Sequence, residues 1–192
     1  MIISRGVPTA DRSAAARLYW QAFGGKLGRV MGPDARALAY IGRAMRSDHA
    51  LTAHDATGRL IGIVGFKTPD GAFVEGGLAD MRAAYGTIGA LWRAVPLALL
   101  DRDIDNARFL MDGICVHPDA RGQGVGTALL DAICGEARQR GYSHVRLDVI
   151  DRNTRARALY QRLGFVPVAT QTMGPLRHIF GFASSTTMVK TL

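Results

Sequence analysis

The chain has 192 residues, 48% hydrophobic and 21% charged, which is enough to bury one core and unlike a disordered chain. Two cysteines exclude a disulfide framework, and a net charge of +8 favours an anionic partner. No apolar run is long enough to span a bilayer, and residues 1–5 lack a signal-peptide pattern, so a cytoplasmic location without a membrane partner is expected.

Residues 2–5 read as a first strand. Thr9 or Asp11 caps a helix to about residue 23, with Ala15, Leu18, Tyr19 and Ala22 on one face, and Gly24-Gly25 is expected to end it. A second helix covers residues 34–46, after Pro33. Residues 51–54 and 60–66 form two strands joined by a turn. Apolar residues recur at helical spacing over 76–105, where Pro96 is expected to kink or divide one or two helices. That segment is a packing element over the sheet or a wall of a substrate pocket.

Residues 109–116 form a strand with Gly113 inside it, a position that often marks a bulge. A Gly-rich loop follows, then a helix over 124–140 with a stripe of Val125, Leu129, Ala132, Ile133 and Ala137. A strand over 144–150, a helix over 155–163 and strands over 165–169 and 187–190 complete an α/β (α+β) domain around one sheet, taken as a single domain over 1–192. Residues 174–185 are expected to form a loop at a pocket mouth. The densest basic stretch, residues 138–162, contains seven arginines but few aromatics, so a solvated face is expected and no nucleic-acid partner.

The loop Arg121-Gly122-Gln123-Gly124-Val125-Gly126-Thr127 sits between a strand and a helix. Its glycines allow close backbone approach, the helix start supplies unpaired N–H groups, and Arg121 adds a cation, which together suit a pyrophosphate. A P-loop would need a lysine after Gly126, and none is present. A Rossmann loop would need a different last glycine spacing, although Asp148 lies where a ribose-binding acid would fall.

Arg121-x-x-Gly124-x-Gly126 resembles the cofactor motif of the GNAT superfamily of N-acetyltransferases. The preceding Ile114-Cys115-Val116-His117-Pro118 resembles the family's fourth strand. Asn153, the run Ala156 to Tyr160 and Leu163-Gly164-Phe165 resemble its second signature. The resemblance covers about residues 109–168. It implies a mixed, mostly antiparallel sheet flanked by helices, with residues 76–105 as a helical insertion between the third and fourth strands. The fourth and fifth strands are expected to splay, with acetyl-CoA as cosubstrate between them. Its pantetheine would bond to the backbone of Ile114, Cys115 and Val116, and its pyrophosphate to amides from Arg121 to Thr127, Gln123 included. Asn153 would bind the cofactor or a water, or serve as an ordinary helix cap.

The implied reaction is direct attack of an amine on the thioester. A thiol has a pKa of roughly 8.5, so a phenol can protonate its thiolate. The resemblance gives that role to Tyr160. Asp148 and Asp112 are the alternative general bases, and either could simply anchor an arginine. Cys115 lacks partners for a nucleophile, and the five histidines form no metal-ligand pattern, so no metal is expected. A CoA-binding regulatory module without catalysis and a Rossmann-type nucleotide protein are the competing readings. The acceptor amine is unidentified, an acidic one would suit the basic charge, and a homodimer is left open.

Overall fold

The computed structural model describes residues 1–100 and 107–192. Strand β1 (Ile2–Arg5) leads into helix α1 (Arg12–Met31) and helix α2 (Asp34–Ala44). Strands β2 (Ala50–His54) and β3 (Leu60–Thr68) follow, then a two-residue strand β4 (Gly71–Ala72) and helix α3 (Leu78–Leu100). The remainder is β5 (Phe109–Val116), α4 (Val125–Gln139), β6 (His144–Ile150), α5 (Thr154–Arg162), β7 (Val166–Thr172), α6 (Arg177–Phe180) and β8 (Ser184–Thr191). One sheet runs in the order β1-β2-β3-β5-β6-β8-β7, with β4 on the flank of β3. Every strand pairing is antiparallel except β5 with β6. A single parallel pair in an antiparallel sheet is not a Rossmann arrangement, which needs successive parallel units.

Helices cover both faces. One core joins α1, α2 and α3 to the sheet through residues such as Ala15, Ile41, Met81 and Ile63. The other joins α4 to the opposite face through Leu129, Ile133, Val145 and Leu147. Strand β6 shows why its sequence alternates: Val145, Leu147 and Val149 are buried, while Arg146, Asp148 and Ile150 lie on the other face. Leu129 is fully buried, and a Cβ on Gly62 of β3 would come within 2.9 Å of its Cδ1. Leu129→Ala would leave a cavity there, and we expect a loss of roughly 2–5 kcal/mol in urea unfolding.

Several boundaries differ from the sequence expectation. Helix α1 continues through Gly24-Gly25 to Met31 and ends where Gly32 turns extended ahead of Pro33. The absent side chain of Gly24 makes room for the Trp20 ring, since a Cβ would sit 3.2 Å from Trp20 Cε2. The break in α3 falls at Gly86, whose φ of 73° leaves the helical region, and not at Pro96. The part of the expected 76–105 helical region from residue 101 onward lies outside the described residues. The short β4 makes the expected fourth strand the fifth, β5, in chain order. The expected loop over 174–185 contains a 3-10 turn, the short α6 and the start of β8.

Candidate active site

Strand β5 carries a local irregularity that shapes the site. Gly65 of β3 faces Gly113 but the next residue, Phe66, faces Met111, so Asp112 is an extra residue in β5. This bulge reverses the strand's alternation. Phe109 and Met111 point into the α4 core, and beyond the bulge it is Cys115 that faces the α1 side. Gly113 allows the bulge to lie under α1: a Cβ there would come within 2.5 Å of Phe23 Cζ.

Strands β5 and β6 pair only through Phe109 with Val145 and Leu110 with Arg146. Past those two pairs they part, and from Gly113 to Val116 no strand among the described residues pairs with the β6-facing edge of β5. Cys115 is buried, and burial together with the nearby Asp112 carboxylate holds its thiol well above the ordinary value. It is thus no thiolate nucleophile at neutral pH. The expected contact residues Ile114, Cys115 and Val116 therefore lie on a backbone edge that no strand among the described residues covers, although the Val116 carbonyl is engaged by Arg121.

A cleft of about 200 Å³ occupies the opening. Asp112, Gly113 and Ile114 line it from β5, Asp148 from β6, and Asn153 and Tyr160 from α5. Tyr160 is 5% exposed, and burial first, then the nearby Cys115, raises its pKa well above the ordinary phenol value. Among the described residues nothing hydrogen-bonds to its hydroxyl. Asn153 caps α5, its side-chain oxygen accepting from the Ala156 N–H at 3.2 Å. Cap and cleft wall are thus the same residue. The Asp148 carboxylate accepts from the Thr187 hydroxyl and lies 3.4 Å from an Arg146 guanidinium nitrogen. It anchors an arginine, as one reading of the sequence allowed, while still lining the cleft.

The Gly-rich loop leaves the end of β5 that has parted from β6. Gly122 and Gly124 adopt φ of 81° and 82°, a left-handed conformation that strongly favours glycine, and Gly124 caps α4. The first backbone bond of α4 is from Ala128 to the Gly124 carbonyl. Among the described residues no partner engages the N–H groups of Gly122, Gln123, Gly124, Val125, Gly126 or Thr127. Such a run of free amides at a helix start is an anion site by its chemistry. No acid stands in the first turn to compete for it. Gln123 turns its side chain away to the Asp119 carbonyl, and Arg121 Nε donates to the Val116 carbonyl at 3.3 Å. Gly126 serves packing: a Cβ would stand 3.2 Å from Leu159 Cδ2, so its absence lets α5 approach α4. That approach carries Tyr160 to the cleft.

Residues that sequence reasoning did not single out complete the walls. Phe23 of α1, Lys67 of β3, Phe182 and Ser185 all line the cleft. The one sequence signal for them was Phe23 lying one helical turn beyond Tyr19, and the two rings meet in a tilted contact at 4.5 Å between centroids. Among the described residues no group of three or more His, Cys, Asp or Glu is placed to hold a metal, and no helix is long and apolar enough to cross a membrane.

Comparison with known proteins agrees with this geometry. A mycothiol acetyltransferase from Beutenbergia cavernae is 50% identical over 54 residues, covering 28% of this chain and 18% of that protein. A streptothricin acetyltransferase from Streptomyces lavendulae is 35% identical over 96 residues, covering 50% of this chain and 49% of that protein. The chain thus matches less than half the length of either relative. A crystal structure of an acetyltransferase superposes over 100% of this chain and 99% of its own, with a TM-score of 0.66 at 22% identity, and so shares the fold. The model of the acetyltransferase (GNAT) family matches residues 13–165. That span covers most of the chain, which belongs to the GNAT family of acetyltransferases.

Proposed function

We propose that this protein transfers an acetyl group from acetyl-CoA to a primary amine by direct attack of the amine on the thioester. The observation that carries this reading is the parted β5 and β6: Tyr160 lies in the wall between them, and the strand end leads to the loop of free amides. The amides of Gly122 to Thr127 would hold the diphosphate, and the open edge of Ile114 to Val116 would bond the pantetheine arm. Acetyl-CoA supplies the activated acetyl group.

The chain's own groups would then move protons. As the N–C bond forms and the C–S bond breaks, Tyr160 donates its phenolic proton to the departing sulfur. The nitrogen sheds its surplus proton towards solvent. Asp112 and Asp148 both line the cleft, and either carboxylate could relay that proton, Asp148 from its place beside Thr187 and Arg146. Asp112 also borders a second cavity.

The direct test is thiol release from acetyl-CoA with a panel of amines, alongside calorimetric binding of acetyl-CoA. Turnover with at least one amine is expected. Binding without turnover of any amine would instead favour a regulatory module, and absence of binding would remove the reading altogether.

A pH dependence follows from the same residue. Burial raises the Tyr160 pKa, so its proton is retained throughout the neutral and mildly alkaline range. An alkylamine titrates near about 10, so a neutral acceptor becomes more abundant as pH rises. We expect kcat/KM to climb with pH and to show no falling limb below about pH 10. A falling limb centred near neutrality would mean that a different group gives up the proton.

A further inference from the structure

The glycine pair at the bulge seats two aromatic rings. Gly65 of β3 and Gly113 of β5 face each other. A Cβ on Gly113 would come within 2.5 Å of Phe23 Cζ, and one on Gly65 within 2.7 Å of Phe73 Cβ. A third ring, Tyr19 of α1, touches both. It lies tilted against Phe23 at 4.5 Å between centroids and edge-on to Phe73 at 5.7 Å. Aromatic contacts of these kinds favour a defined ring geometry. The Tyr19 ring is thus held from two sides, and the place of its hydroxyl is set before any ligand arrives.

The hydroxyl itself has no tie. Tyr40 of α2 and Tyr85 of α3 donate theirs to backbone carbonyls, those of Gly76 at 3.2 Å and of Met31. The Tyr19 hydroxyl has no hydrogen-bond partner among the described residues. A buried polar group is normally paired, so an unpaired one beside a cavity is a group to account for. Tyr19 lines a second cavity of about 460 Å³, a volume in the range of small-molecule sites. That cavity shares Lys67 and Asp112 with the cleft, and Phe23, the ring against Tyr19, lines the cleft.

Electrostatics locate the hydroxyl further. Burial first, then Asp112, Cys115 and Tyr40, raise the Tyr19 pKa well above the ordinary phenol value, so it stays neutral. Asp112 and Cys115 bracket Gly113 and Ile114 on β5. Cys115 acts on Tyr160 as well. Two phenols are therefore within electrostatic reach of the same stretch of β5. Tyr160 approaches from the wall of the cleft and Tyr19 from the wall of the second cavity.

Resting on the acetyltransferase reading above, we propose that Tyr19 positions the acceptor: its phenolic oxygen accepts a hydrogen bond from one N–H of the neutral amine and turns the nitrogen lone pair towards the thioester. The acceptor's body would lie in the second cavity, with the nitrogen where that cavity meets the cleft. A primary amine offers two N–H groups and one lone pair, so bonding one N–H leaves the lone pair free to attack. Tyr19 gives up no proton in this role, which separates it from Tyr160. Its value is orientation, and misplacement of a reacting atom by about 1 Å can cost on the order of 10²-fold in rate.

The test uses the full chain with pentylamine, 2-phenylethylamine and alanine amide as acceptors. Tyr19→Phe keeps the ring contacts and removes only the oxygen. We expect kcat/KM for the acceptor to fall at least about tenfold, about 1.4 kcal/mol. The acetyl-CoA dissociation constant should hold within about threefold, and the shape of the pH profile should not change, because the hydroxyl moves no proton. Tyr85→Phe is the structural control. It strips the Met31 carbonyl of its partner, so the urea midpoint should drop while kcat/KM stays within about threefold. Unchanged turnover in Tyr19→Phe, an altered pH profile, or an equal loss in Tyr85→Phe would overturn the assignment. So would acetyl-CoA binding in the wild type with none of the three amines turned over. Calorimetry separates the two levels: a wild type that does not bind acetyl-CoA defeats the acetyltransferase reading, and this one with it.

Discussion

Tyr160→Phe is expected to lower kcat by roughly 10²- to 10⁴-fold, the usual contribution of a positioned general acid. Two properties of the residue make this variant informative. Its ring is buried beside Phe165, at 6.0 Å between centroids, and phenylalanine keeps that packing. Its hydroxyl bonds to nothing among the described residues, so its removal deletes no hydrogen bond of the fold. A change of less than about 0.5 kcal/mol in unfolding free energy is expected, well below the cost of leaving a partner unsatisfied. Acetyl-CoA affinity should hold within about threefold, a difference of under 1 kcal/mol. Large loss of turnover with intact stability and affinity would place the phenol at the departing sulfur. Unchanged turnover would remove Tyr160 from the mechanism, and a matching fall in stability would mark it as a core residue only.

The C-terminal half was legible because its chemistry is local. Strand β5, the loop, α4, β6 and α5 are each bounded by a glycine, a proline or a cap, and their apolar periods are clean. Tyr160, Asn153 and the loop amides sit within that contiguous stretch, and it was its resemblance to the family's motifs that proposed them together. The N-terminal half was less legible for the same reason. Gly24-Gly25 looks like a helix stop, yet the Trp20 ring packs over Gly24 and α1 runs on to Met31. Pro96 looks like a break, but the backbone turns at Gly86. Strand β4 and helix α6 are too short to show any period.

The walls of the site were hidden for a topological reason. Phe23, Lys67, Phe182 and Ser185 come from parts of the chain far apart in sequence, and only the sheet order brings them to one cleft. The bulge at Asp112 was half visible. Gly113 signalled an irregular strand, but the reversal of faces that aims Cys115 one way and the open edge another depends on pairing with β3.

Gly124→Val should be the most damaging change in the loop. At φ of 82° the backbone occupies a region that a β-branched residue rarely adopts, and the strain amounts to roughly 1–2 kcal/mol. The chain can relieve it only by turning the peptide units that aim the amides of Gln123 to Gly126. Charge-assisted hydrogen bonds to an anion are worth about 1.5–3 kcal/mol each, so misdirecting even two of them amounts to about 3 kcal/mol or more. We therefore expect the acetyl-CoA dissociation constant to rise by at least about a hundredfold. Gly141 provides the control. It shares the conformation, with φ of 83°, but it follows the opposite end of α4 from the loop. Gly141→Val should lower stability by a comparable amount while leaving the dissociation constant within about threefold. Calorimetry on both variants separates strain from ligand contact. Equal losses of affinity would mean that the loop acts through the stability of α4, and an unaltered Gly124→Val would show that the diphosphate does not rest on these amides.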